Sequence, residues 1–382
     1  MLKKIILLLT TFPILFLSCN STGKIQTEEL SKPMNVQENT LRLSFAGDIM
    51  AHTEVTGKNF SGAFADIEDI LKNSDFSFAN FESPVNNAMP QSSYPTFNCH
   101  EDYAKAAMDA GFNVFSLANN HTNDFYEEGM NSTRNFFDGQ KPLGIYSCGI
   151  KEKKDDDIKF ITIEKNGWKI LFASITEVLN FKRGTELFDY LPPENKAREK
   201  FLEQIKREKR KSSCDFLVLS FHTAEEEYVT SIAEKSKKFY YSLLDSGVDI
   251  LWINHPHVSK DWAVITNRNT RESKVIFYSV GNTISGQRRK PNFDKPDSPR
   301  DNSGDSFIFN MEIEKSAGGI RIRHLKPVLI TTFINEGNFF VIKKLNEEFI
   351  QTLKDQGNFK WSQYLSERKK IMNKIEGKYS WQ

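Results

Sequence analysis

Aspartate, glutamate, asparagine and histidine recur in one context along this chain, directly after short runs of β-forming apolar residues. Leu41 to Ala46 runs into Gly47-Asp48, Phe76 to Phe81 carries Asn80 and ends in Glu82, and Phe112 to Leu117 leads to Asn120, His121 and Asp124. Phe216 to Phe221 ends in His222, and Val248 to Ile253 ends in Asn254-His255-Pro256-His257. Four of the seven histidines fall at these five ends. Buried strands need polar ends in general, not oxygen and imidazole donors in particular. Such mixed donors suit divalent ions such as Mn, Fe or Zn, without choosing among them. Two ions about 3.5 to 4 Å apart can share a carboxylate and clamp phosphoryl oxygens, and metal binding brings the pKa of water from roughly 15.7 to about 7. That chemistry is hydrolysis. His121 is better placed as general acid than as ligand, with Asp124 able to orient it. The competing reading makes the asparagines loop caps and the histidines hydrogen-bonded structural groups, which leaves five coincident strand ends without a reason.

One site requires that these strand ends meet. Strands alternating with amphipathic helices predict an α/β fold, in which ligands bind outside the carboxyl ends of the strands. Helices are expected over Gly62 to Lys72, Glu101 to Ala110, Asp124 to Phe137, Pro192 to about Lys211, and Val229 to Ser246. Ile158 to Glu164 and Lys169 to Ile175 read as a hairpin turning at Gly167. Lys274 to Val280, Phe307 to Ile313 and Ile320 to Ile334 add further strands, and Leu345 to Leu353 and Trp361 to Ile375 read as helices. The expected organisation is a domain over 41–336 followed by a helical extension over 337–382.

The 382 residues carry 51 Lys+Arg against 50 Asp+Glu, a formal charge of +1, so no global field marks nucleic acid as a partner. The start of the chain differs from the rest: Lys3 and Lys4 precede an apolar stretch from Ile5 to Leu17, and Ser18-Cys19 follows. That stretch is short for a membrane span, which needs about 20 residues, and has the form of a secretory signal. Phe16-Leu17-Ser18-Cys19 resembles a bacterial lipobox, which predicts an extracytoplasmic lipoprotein held to the membrane through lipidated Cys19. Residues 20–40 are polar and aperiodic, the composition of a tether. Cys99, Cys148 and Cys214 then permit at most one disulfide, and no CxxC spacing suggests a zinc knuckle.

Five motifs in order, GDIM at Gly47 to Met50, NFES at Asn80 to Ser83, SLANNHTND at Ser116 to Asp124, NHPHV at Asn254 to Val258 and YSVGN at Tyr278 to Asn282, carry a family resemblance. The chain resembles the bacterial capsule-synthesis CapA family, associated with poly-γ-glutamate capsules and similar to the calcineurin-like metallophosphoesterases. The resemblance implies a four-layer α/β/β/α sandwich and a role in capsule or cell-surface polymer biosynthesis. It implies a phosphoester or an anionic surface polymer as substrate, and capsule-assembly proteins as partners. It places Asp48, Glu82 and His257 around one metal and Glu82, Asn120, His222 and His255 around a second, with Glu82 bridging. Three positions depart from the pattern. Met50 stands where the wider phosphoesterases usually carry a histidine ligand, Asn254 replaces a common glycine, and Glu225 to Tyr228 is one residue longer than the usual HxGxEY. None of Glu225, Glu226 and Glu227 is therefore assigned. Met50 favours a second function, a non-catalytic polymer-binding or assembly component, while the retained ligand positions favour a hydrolase.

Overall fold

The computed structural model describes residues 39–381 except 58, 155 and 156. The expected signal peptide, the lipidated Cys19 and nearly all of the tether lie outside the described residues. Among the described residues there are fifteen strands. The first eight in chain order are β1 (Thr40–Met50), β2 (Phe76–Glu82), β3 (Val114–Ser116), β4 (Tyr146–Cys148), β5 (Phe160–Lys165), β6 (Trp168–Thr176), β7 (Phe216–His222) and β8 (Ile250–Asn254). They are followed by β9 (Trp262–Thr266), β10 (Ser273–Phe277), β11 (Asn282–Ile284), β12 (Asp305–Ser316), β13 (Gly319–Ile334), β14 (Phe340–Lys344) and β15 (Gly377–Trp381).

One sheet has eight strands in the order β14-β13-β12-β1-β2-β3-β4, with β11 also paired to β1, and the other has seven in the order β15-β9-β10-β8-β7-β6-β5. Strands β1 to β4 are mutually parallel, and so are β6, β7, β8 and β10. Parallel strands are covered on both faces, so they are apolar at successive positions and split by the period of two. Phe76 and Phe78 of β2 and Phe216 and Val218 of β7 enter one core between the sheets. Ala79 and Phe81 face outward into a core shared with helices Glu101–Ala110 and Tyr126–Gly139. Leu217, Leu219 and Phe221 face outward against helices Asn195–Ser212 and Glu234–Asp245. Phe45 joins the layers, stacked on Phe78 at 4.5 Å and edge-on to Trp252 of the opposite sheet at 5.9 Å. The expected four-layer α/β/β/α sandwich is present.

Local bounds differ from the sequence reading where side chains compete with regular structure. The strand expected over Phe112 to Leu117 contracts to β3, because the Phe112 N–H closes the preceding helix on Ala107 and Asn113 uses its side chain to accept from Ser77 N–H. The helix expected from Val229 begins only at Glu234, since the Tyr228 N–H is held by the Pro256 carbonyl at 2.9 Å. Residues 62–72 form a 3-10 turn, Ala65–Ile67, and a short helix, Glu68–Lys72. Residues 337–382 are more than helices: β14 extends the first sheet, β15 edges the second, and Glu347–Asp355 and Phe359–Met372 lie between them. Cys99, Cys148 and Cys214 are all free thiols. Among the described residues no helix is long and apolar enough to cross a membrane.

Candidate metal centre

Register brings the strand ends together. In the first sheet Asp48 pairs with Asn80, Met50 with Glu82 and Asn80 with Ser116, while in the second Thr176, His222 and Asn254 stand side by side. The two edges then meet across the sandwich. Ser116 lies 2.7 Å from Ser174 and accepts from Ser220 at 2.8 Å, which forms a polar floor between the sheets. Asn254 donates to Ser220 at 3.2 Å, so the residue that replaces the common glycine is part of that floor.

Two glycine motifs set the depth of Asp48. A side chain at Gly47 would put its Cβ 1.7 Å from the Gly281 carbonyl oxygen, and the Asp48 N–H donates to that same oxygen at 3.0 Å. Only glycine permits this approach, and it locks the GDIM and YSVGN segments against each other. Asn282 then reaches His257 Nδ1 through Oδ1 at 3.0 Å, and Asp48 Oδ2 lies 3.1 Å from the same nitrogen.

All six predicted metal residues converge. His222 Nε2 stands 2.7 Å from Asn120 Oδ1, 3.1 Å from His255 Nδ1 and 3.9 Å from Glu82 Oε1. His257 turns its Nε2 to the same Glu82 oxygen at 3.8 Å. That oxygen is buried and accepts no hydrogen bond, an expensive arrangement for a carboxylate unless a cation completes it. Asn80 donates to Asp48 at 2.8 Å and orients it without being a predicted ligand. Donor atoms within 4.8 Å of one another fall into two groups, Asp48, Glu82 and His222, and Glu227, His255 and His257. This grouping differs from the partition implied by the resemblance and adds Glu227.

The three consecutive glutamates now separate. Glu225 is bound by Lys260 Nζ and accepts from Tyr240 OH at 3.0 Å, so it is structural. Glu227 alone approaches the histidine pair. His255 and His257 have φ of 98° and 58° around Pro256, a conformation that costs of order 1–3 kcal/mol per residue and persists where the fold over-determines it.

Electrostatics favour a cation here. Burial, then Asp48, Glu227 and Asp124, hold the Glu82 carboxyl well above its ordinary range. Burial and the neighbouring imidazoles push His222 and His255 well below theirs, which keeps their lone pairs available. Burial also works against charge on His257, yet Asp48 and Glu227 carry it above the usual imidazole value. The donor set fits divalent ions.

His121 and Asp124 form a separate pair beside these groups. Asp124 Oδ2 is 2.7 Å from His121 Nδ1 and also accepts the Phe97 N–H at 2.6 Å. Asn119 builds the turn, accepting the His121 N–H at 3.1 Å, whereas Asn120 faces His222. The sequence reading missed Asn180, whose side chain accepts from Asn120 at 3.2 Å and lies 3.1 Å from His121 Nδ1. A lone amide in an irregular segment gives no local signal. His52 is buried, edge-on to Phe97 at 4.9 Å, while Phe97 is edge-on to His121 at 4.5 Å.

The family described as "Bacterial capsule synthesis protein PGA_cap" matches residues 42–287, a span that contains every residue of this site named above. The chain belongs to that family. Two relatives share 28% identity with this family member. One is "Capsule biosynthesis protein CapA" of Bacillus anthracis, aligned over 278 residues, 69% of this chain and 64% of that protein. The other is "PGA biosynthesis protein CapA" of Bacillus subtilis (strain 168), aligned over 275 residues, 69% of this chain and 68% of that protein. The alignment thus spans somewhat less than two thirds of the Bacillus anthracis relative. Among solved structures, the calcineurin-like phosphoesterase YfkN from Bacillus subtilis aligns with a TM-score of 0.40 and 12% identity, over 86% of this chain and 99% of that one.

Proposed function

We propose that this capsule-synthesis family member is an exported, lipid-anchored, metal-dependent hydrolase acting in the biosynthesis of a capsule or another anionic cell-surface polymer. The observation that carries this reading is the Glu82 Oε1 atom, buried, without a donor, and flanked by His222 Nε2 at 3.9 Å and His257 Nε2 at 3.8 Å. Asp48, Glu82, Asn120, His222, His255 and His257, with Glu227, would hold two divalent ions of the Mn, Fe or Zn type. Bound there, such ions would activate water at neutral pH and offset negative charge developing on the substrate. His121 would donate its Nδ1–H to Asp124, which orients the ring so that Nε2, when protonated, could serve the leaving group. Asp124 fixes that tautomer, and Phe97 packs against the ring. The names of the two relatives support a capsule or PGA biosynthetic context. Export and anchoring rest on Lys3, Lys4, the Ile5 to Leu17 stretch and Cys19, and capsule-assembly proteins are the partners this placement suggests.

Met50 supports a second reading, a polymer-binding or assembly component without turnover. It is buried at the end of β1, its carbonyl accepts from Tyr103 OH at 3.1 Å, and it offers only a thioether where a histidine ligand is usual. The two readings separate in one experiment. Full-length protein, stripped with chelator and reloaded with Mn, Fe or Zn, is assayed against phosphoesters and poly-γ-glutamate. Metal-dependent cleavage of either class supports the hydrolase; retention of polymer without cleavage under any metal moves the conclusion to binding.

A further inference from the structure

A guanidinium that no carboxylate pairs, among the described residues, stands beside the histidine turn of this site. Arg300 belongs to the segment between β11 and β12, beyond residues 42–287 matched by the family. Its guanidinium lies over the Tyr228 ring at 4.6 Å and donates to Tyr228 OH at 3.0 Å. The Tyr228 ring is 6.2 Å from His257, and its N–H is tied to the Pro256 carbonyl at 2.9 Å. The cation is therefore fixed, through one aromatic side chain, to the backbone turn that presents the two histidines. Among the described residues no carboxylate pairs with Arg300, although it is exposed and the chain offers abundant acids. Arg289, on the same segment, is already paired with Glu54 at 2.8 Å.

The segment bearing Arg300 is held from behind. Arg368 of the Phe359–Met372 helix bonds Asp305 at 2.5 Å, Asn302 at 2.9 Å and the Pro296 carbonyl at 2.7 Å, and Tyr364 bonds Asp301. His52, buried with an unpartnered Nδ1, lies within electrostatic reach of His257, His121, Arg289 and Arg300 together.

We propose that Arg300, seated on Tyr228, is the anion-receiving arm of the site, binding a carboxylate or phosphate of the substrate while the reacting bond lies against the histidine turn. A planar guanidinium offers two parallel N–H donors to either oxyanion, and stacking on an aromatic ring orients it beforehand. The inference rests on the hydrolase reading only for what happens beside the arm. It concerns binding alone.

The test is calorimetric titration of the full-length protein with two probes, inorganic phosphate and a short γ-linked glutamate oligomer, with metal content measured on each sample. Arg300→Ala is expected to weaken binding of at least one probe about tenfold at unchanged metal content, and Arg300→Lys and Tyr228→Phe to weaken the same probe less. Loss confined to the oligomer assigns a carboxylate, loss confined to phosphate assigns a phosphoryl group, and loss of both assigns a general oxyanion arm. Unchanged affinity of Arg300→Ala for both probes, or no binding of either probe by the native protein, overturns the proposal. Absence of metal from the native protein would count against the hydrolase reading, and is read independently of these affinities.

Discussion

His257 Nε2 stands 3.8 Å from Glu82 Oε1, a carboxylate oxygen that is buried and accepts no hydrogen bond. These residues are 175 positions apart (257 − 82): Glu82 ends β2 of the first sheet, and His257 lies in the turn that follows β8 of the second. The pair is held from the other side of the imidazole, where Nδ1 meets Asp48 Oδ2 and Asn282 Oδ1. Partners on the distal nitrogen fix ring orientation and tautomer, and their loss commonly weakens metal affinity by about 10 to 100-fold. Asn282→Ala is therefore expected to weaken metal affinity by about that factor, measured by competition with a chromophoric chelator. Affinity equal to that of the native protein would show that Asn282 does not position His257.

His121→Ala separates proton transfer from metal binding. General acid catalysis typically contributes about 10² to 10⁴-fold, so turnover should fall within that range while metal content stays the same. Asp124→Asn should cause a smaller loss, because the ring remains but its orienting carboxylate is gone. Equal turnover in native protein and His121→Ala would remove His121 from the mechanism.

The strand ends were legible because each joins two strong local signals, a run of apolar β-formers and an abrupt ligand-type residue. What the sequence could not separate was Glu227 from Glu225. Both sit in one acidic run, and the distinction is made by Lys260 and Tyr240, which come from other elements. β15 was missed for a related reason: its five residues have no amphipathic signature, and it becomes a strand by pairing with distant β9. Asn180 and His52 likewise acquire their positions from tertiary contacts rather than local pattern.

The C-terminal helix is joined to the core through charge. Asp305 lies between Arg368 at 2.5 Å and Arg288 at 2.7 Å, and all three are buried. Removing one member of such a buried set typically costs about 3–5 kcal/mol because the remaining charges stay desolvated. Asp305→Asn should lose stability of that order in denaturant unfolding. A loss below about 1 kcal/mol would show that the arginines find water or other acceptors.

His52 makes stability fall in mild acid. Burial first, then electrostatic repulsion within the group formed with His257, His121, Arg289 and Arg300, lowers its pKa from 6.5 to about 3. Between those values the unfolded chain binds a proton that the folded chain refuses, so stability drops as pH falls below 6.5. From pH 7.5 to pH 5 the loss from this residue is about 2 kcal/mol. In chelator-treated protein, His52→Asn should show a shallower decline between about pH 7.5 and pH 5, compared by denaturant unfolding. Identical slopes would mean that His52 takes up its proton in the folded state.

Metal content is the most direct measurement of the site itself. Elemental analysis of the full-length protein, after incubation with Mn, Fe and Zn, should give about two equivalents, and the double variant His255→Ala with His257→Ala should give about one or fewer. Absence of metal from the native protein under all three conditions, or equal content in the double variant, would contradict a metal-dependent hydrolase at Glu82.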